Sequence, residues 1–300
     1  MATTVLGLVL SLIGTVGLAG MYLLIRLGAE DGKANNAVFI VMGTNLLILT
    51  PVALVLYYPT YGLTTGAIFW FVLAGLTGTL IGRTLTYTSV SRIGASRTSP
   101  VVSAQILVAT VAGVIVLGET VTLVQMVGII LLLLGVVLIS LETSRDEIVT
   151  VSRRELAIGL FLPIGAATAY GIEPIFANFG FAEGTPALVG LIVRIVAGTV
   201  AFSGFLWIRN QFPSRETLKT MSSRWFLLAG VSNTVFVAGF YVALSLAPVH
   251  VVVPIIQSYP ILVVILSGVV MPDRLETITW KLVASTVIVV VGIVILAGSA

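Results

Sequence analysis

Glu173 and Arg194 are the residues whose types and spacing most plainly permit chemistry, because each is an ionisable group inside a long apolar run. A charge in such a run is expensive to keep, so it marks a functional site by default. The two flank the turn near Ala182, and antiparallel helices joined there would bring them to similar depth. Arg has the reach to meet the carboxylate, so an ion pair is expected. In one role the pair faces a cavity and holds a zwitterionic or polar solute. In the other it locks two helices, since deleting one partner of a buried pair destabilises by about 3–5 kcal/mol. Glu173 is also the one acidic residue well inside a span. A carboxylate beside Arg resists protonation near neutral pH, so proton coupling through it would require the pair to separate.

The remaining polar groups within apolar runs extend this set. Arg83 follows Leu80-Ile81-Gly82 and precedes Thr84, Thr86 and Tyr87, a mixed polar face. Its guanidinium suits a carboxylate or phosphate on a solute, or it snorkels to the membrane interface. Lys281, beside Trp280, is expected to snorkel. Gln105, Asn233, Gln257 and Tyr259, with Tyr170 and Tyr241, complete the candidate solute-binding residues; Tyr22, Asn45, Ser103 and Ser258 are neutral companions. Each also has a plainer role, joining helices at a net gain near 0.6 kcal/mol. His250 is expected to be a solvated interfacial residue. With no cysteine and one histidine, disulfides are excluded and a zinc or haem donor set is lacking. No paired-aspartate magnesium motif and no Walker loop occurs, so neither a cofactor nor an enzyme is expected.

Composition identifies the solvent in which these side chains are held. Of 300 residues 58% are hydrophobic and 9% are charged, with a mean hydropathy of +1.16. Soluble domains carry roughly a quarter charged residues, so the bilayer must solvate most of this chain. Membrane-length runs of about 20 apolar residues fall at 3–27, 35–58, 66–91, 95–117, 121–142, 155–178, 186–208, 223–247, 250–271 and 276–298. The fold class is therefore an all-α integral membrane protein of about ten transmembrane helices. No basic n-region precedes the first run, which is read as a retained helix.

Arg26, Lys33, Arg92, Arg97, Arg145, Arg153, Arg154, Arg209, Arg215, Lys219, Arg224 and Arg274 all fall at odd-numbered connections. The even ones hold Glu119, Glu183 and His250. The positive-inside rule then places the odd connections in the cytoplasm and both termini outside, in a multi-pass cell-membrane protein. The net charge of +3 serves this topology, and no nucleic acid partner is expected.

The chain repeats itself. Trp70-Phe71-Val72-Leu73-Ala74-Gly75-Leu76-Thr77-Gly78-Thr79 matches Trp225-Phe226-Leu227-Leu228-Ala229-Gly230-Val231-Ser232-Asn233-Thr234. After a one-residue gap Pro100 falls on Pro254, and further on Glu119 falls on Glu276 and Gly135 on Gly292. The period is five spans, an odd number, so the two five-helix repeats (residues 1–148 and 149–300) are inverted in the membrane. Inverted repeats recur in secondary transporters, with the solute near the midplane between halves. Spans five and ten, nearly uniformly apolar, are expected at the periphery, packed on each other or on a second copy in a homodimer.

Tyr87 to Ser91, Ala95-Ser96-Arg97-Thr98-Ser99-Pro100, Leu117-Gly118-Glu119 and a Gly-rich fifth span carry a family likeness. Leu244-Ser245-Leu246-Ala247-Pro248, Pro254, Tyr259-Pro260-Ile261-Leu262 and Leu275-Glu276 repeat it. The chain thereby resembles the EamA-type transporters of the drug/metabolite transporter superfamily over essentially its whole length. The resemblance implies a secondary transporter whose partners are a small-molecule solute and membrane lipid. Relatives are thought to keep both termini inside, whereas these charges argue the reverse. The function expected is movement of a small polar organic metabolite, amino-acid-like or other, by alternating access. A polytopic membrane enzyme and a non-transporting scaffold or sensor are the other classes.

Overall fold

A computed structural model of the chain describes residues 2–28, 34–93, 95–143, 153–210, 212, 222–270 and 279–299. Within hydrocarbon the backbone finds no water, so apolar runs of this length satisfy their own N–H and C=O groups as helices. They are α1 (Ala2–Gly28), α2 (Ala34–Leu56), α3 (Thr65–Gly75), a π-helical segment (Leu76–Gly82), α4 (Arg83–Ile93), α5 (Ala95–Val102), α6 (Gln105–Leu117), α7 (Leu123–Thr143), α8 (Arg153–Ala182), α9 (Ala187–Ile208), α10 (Ser222–Leu244), α11 (Val249–Ile256), α12 (Tyr259–Val270) and α13 (Trp280–Gly298). Among the described residues, eight stretches are long and apolar enough to cross a membrane by themselves. α8, which carries Pro163, Glu173 and Pro174, and the broken run α11–α12 supply the other two of the ten expected spans.

Three spans depart from simple helices. The third passes from α3 through the π segment into α4, and the Thr77 hydroxyl donates to the Leu73 and Ala74 carbonyls where the ladder changes. The fourth breaks between α5 and α6, and the ninth between α11 and α12. Those two breaks are repeat-related. Pro100 and Pro254, which lack an N–H to donate, each precede a last turn drawn tight. Ala104 N–H donates to Val101 O at 3.1 Å, and Ser258 N–H to Ile255 O at 3.1 Å. Hydroxyls cover nearby carbonyls, Ser103 that of Ser99 and Ser258 that of Ile255, with Thr15 of α1 adding a second hydroxyl to Ile255.

Packing interleaves the two halves. α1 and α2 lie against α10, and α1 also carries α11 and α12. In the matching arrangement, α8 and α9 lie against α3 and the π segment, and α8 also carries α4, α5 and α6. Two bundles result, each built from both halves of the sequence. They meet where α2 crosses α9, where α10 reaches α8 and α9, and where α6 packs on α11. The fifth and tenth spans, α7 and α13, pack on each other, as one of the two expectations held. Glycines set that approach: a Cβ built on Gly128 would lie 3.1 Å from Gly292 O, and one on Gly292 2.9 Å from Gly128 O.

Candidate functional site

The C-terminal half of α8 carries Glu173, and α9, returning through a turn that holds Gly184 at φ 84°, carries Arg194 opposite it. Arg194 Nη2 lies 2.5 Å from Glu173 Oε1, with the two side chains only 15% and 6% exposed. Both residues belong to one bundle. The other bundle contributes Tyr241 from α10, which is fully buried. Its hydroxyl donates to Glu173 Oε1 at 3.4 Å, and its ring lies 5.7 Å from the Arg194 guanidinium carbon. Cation–π attraction thus adds to the ion pair across the junction of the bundles. Arg194 Nε is buried and makes no hydrogen bond among the described residues.

The π segment forms the floor. A Cβ on Gly78 would overlap Glu173 Oε2 and lie 3.2 Å from Arg194 Nη2, and a Cβ on Gly75 would overlap Arg194 O. Gly82 faces the ring of Tyr170 one turn further on. The glycines therefore bring the backbone of the third span against the charged pair, which a side chain would prevent. The Tyr170 phenol interacts electrostatically with Arg194 and with Tyr259. Tyr259 opens α12 directly after the break and stacks on Tyr22 of α1, with ring centroids 4.8 Å apart and planes 7° apart. Glu173, Arg194 and Tyr241 thus form one cluster of contacts spanning both bundles, with Tyr170 and Tyr259 beside it. It offers a cation, an anion and phenol hydroxyls, which can engage the two ends of a zwitterion. Among the described residues no group of three metal-ligating side chains comes together.

Other candidates lie elsewhere. Arg83 opens α4, half-buried, and no contact among the described residues places it on the charged pair. Tyr87 lies in α4, and its side chain is outside the described residues. Gln105 and Gln257 are half-buried at the two helix breaks. Asn233 is buried, and its Nδ2 donates to Asn45 Oδ1 at 2.7 Å when the Asn45 amide is turned to satisfy its neighbours. The Asn45 Nδ2 then donates to Thr234 Oγ1, Gly230 O and Val41 O. This cluster joins α2 to α10 where, in the repeat, α9 meets the π segment. Lys281 is exposed at the start of α13, as expected of a snorkelling residue.

His250 departs from expectation. It is 2% exposed and not solvated, with Nδ1 2.6 Å from Glu119 Oε2. The Glu119 carboxylate also accepts from the N–H groups of Val249 at 2.6 Å and His250 at 3.1 Å. Burial pushes the Glu119 carboxyl up, but the hydrogen bonds from His250 and the two backbone amides outweigh it and hold the group below its ordinary 4.5. Sequence reasoning missed this contact and the π segment. The signal for the latter was the spacing of Gly75, Gly78 and Gly82, which recurs at about one helical turn.

Two comparisons connect this geometry to known proteins. The model of a family described as the EamA-like transporter family matches residues 5–141 and again 157–298. A known crystal structure, described only as that of a protein, superposes with a TM-score of 0.74 at 14% identity, over 100% of this chain and 98% of the other. That likeness shows the fold. No curated protein matches the chain in sequence.

Proposed function

This multi-pass membrane protein belongs to the EamA-like transporter family, and from that we propose that it is a secondary transporter of a small polar organic metabolite, amino-acid-like in its charges. The two inverted repeats, taken as residues 1–148 and 149–300, move the solute across the cell membrane by alternating access. The observation that carries this reading is the buried Glu173–Arg194 pair beneath Tyr241, at the junction of two bundles. A solute carboxylate competes for Arg194 and a solute ammonium for Glu173, so a zwitterion exchanges one pair for two. The repeat-related breaks at 103–104 and 257–258 support the reading, because interrupted helices in corresponding positions of two halves accompany solute sites in such folds. Gln105, Gln257 and Tyr259 stand at those breaks, and Asn233, Arg83 and Tyr87 remain candidates from the sequence alone. The Lys and Arg bias puts the odd connections in the cytoplasm and the termini outside.

A thermal-stability screen of the purified protein against common metabolites tests the site, since a ligand bound only by the folded state raises the melting temperature. A metabolite that stabilises the native chain but neither Glu173→Gln nor Arg194→Ala supports the reading and enters flux assays in vesicles. Stabilisation that survives in both folded variants assigns the pair to structure alone.

A further inference from the structure

The two bundles meet along a seam formed by the fourth and ninth spans, and its two ends differ. Toward the even-numbered connections, α6 packs against α11. By the repeat, the corresponding elements at the other end are α12 and α5. Among the described residues those two make no comparable contact: α5 packs on α4, α7 and α8, and α12 on α1 and α7. Among the described residues the seam is thus held at one end, where its own symmetry would allow it to be held at either.

Glu119 stands at the closed end. It follows Gly118, whose φ of 70° ends α6 in the left-handed conformation and turns the chain toward α11. Its carboxylate receives the Val249 and His250 amides at the start of α11 together with the His250 ring. A carboxylate only accepts, so Nδ1 carries a hydrogen there, and Nε2 is left buried without a partner among the described residues. Glu183 makes a superficially similar contact, with Thr64 Oγ1 donating to Glu183 Oε2 at 3.0 Å ahead of α3. That contact stays inside one bundle, because α3 packs on α8 and α9. The Glu119 contact joins two bundles.

We propose that Glu119 and His250 form the gate clasp of this chain, holding the bundles together at the end of the even-numbered connections while the opposite end is open. The proposal rests on the alternating-access reading and names the residues that close one side of it. Charge-assisted hydrogen bonds contribute more than neutral ones, and three of them converge on one carboxylate. Removing that carboxylate shifts the balance toward the state open on this side.

The chain has no cysteine, so Gln257→Cys, at the break beneath the clasp, supplies a single reporter thiol. In sealed vesicles of known orientation, a membrane-impermeant maleimide is applied from either face. From the face of connections 118–122 and 245–248, labelling is expected to be slow with Glu119 intact and roughly tenfold faster with Glu119→Ala or His250→Ala. From the opposite face the same changes should slow it. Glu119→Gln, which keeps one acceptor, should fall between and serves if the alanine variants do not fold. Unchanged rates in folded variants overturn the clasp. So does faster labelling from both faces, which marks general loosening. The labelling needs no transported solute, so a failure to find one leaves this result intact.

Discussion

Gly78 lies directly under the Glu173 carboxylate, so close that a methyl group in place of its hydrogen would overlap Oε2. The pair and the π segment are therefore one device: the backbone of the third span is shaped to leave room for two charged side chains from the sixth and seventh. Gly78→Ala is expected to displace Glu173, with overpacking destabilising by about 1–3 kcal/mol. Gly204→Ala, where an added Cβ meets open space, should leave the melting temperature unchanged or slightly raised. Melting curves of the two variants side by side check this, and a loss at Gly204 equal to that at Gly78 would remove the argument from space.

Breaking the ion pair should be worse than deleting it. Arg194→Gln leaves Glu173 charged and buried, a loss of about 3–5 kcal/mol, whereas the double change Glu173→Gln with Arg194→Gln should recover much of it. A double-mutant cycle by denaturation in detergent reads the coupling directly. Additive losses would mean that the two groups do not depend on each other.

Asn45→Ala should destabilise by about 1–3 kcal/mol by leaving the Asn233 amide short of an acceptor. Thermal shift with a bound metabolite separates the roles of Asn233. If the amide only joins α2 to α10, Asn233→Ala lowers the melting temperature and keeps the ligand-induced rise. Loss of that rise places Asn233 on the solute.

The Glu119 clasp should respond to acid with a definite sign. Its folded carboxyl is held below 4.5, so its contribution to stability is complete above that value and disappears as pH falls through the lower native one. The melting temperature of the native chain should therefore drop more steeply than that of Glu119→Gln between pH 5 and pH 3, values taken to bracket the ordinary carboxyl range of about 4. Parallel curves would show that the carboxylate is not titrating in the fold.

Hydropathy made the spans legible, because a bilayer leaves a long apolar run one solution. The Glu173–Arg194 contact was legible for a related reason: a short turn fixes the depth of two antiparallel helices, so sequence distance from the turn becomes height in the membrane. No such ruler exists between Glu119 and His250, which are 131 residues apart and beside different turns. Each looks interfacial by itself, and only the packing of α6 on α11 brings them together. Asn233 shows another limit. An amide inside a span announces that it needs partners, but the sequence does not say whether Asn45 or a solute supplies them. The bundles were hidden as well, because each takes spans from both repeats while the repeat itself divides the chain in two.

The wide turns of the third span also set the two halves of the chain apart. Closing each hydrogen-bonded ring over five residues instead of four accommodates one residue more per turn. Between Thr79 and Pro100 the first half carries one residue more than the second does between Thr234 and Pro254. Its counterpart α10 runs as an unbroken α-helix from Ser222 to Leu244. A one-letter slip between duplicated copies, absorbed as a bulge, would rotate everything beyond it.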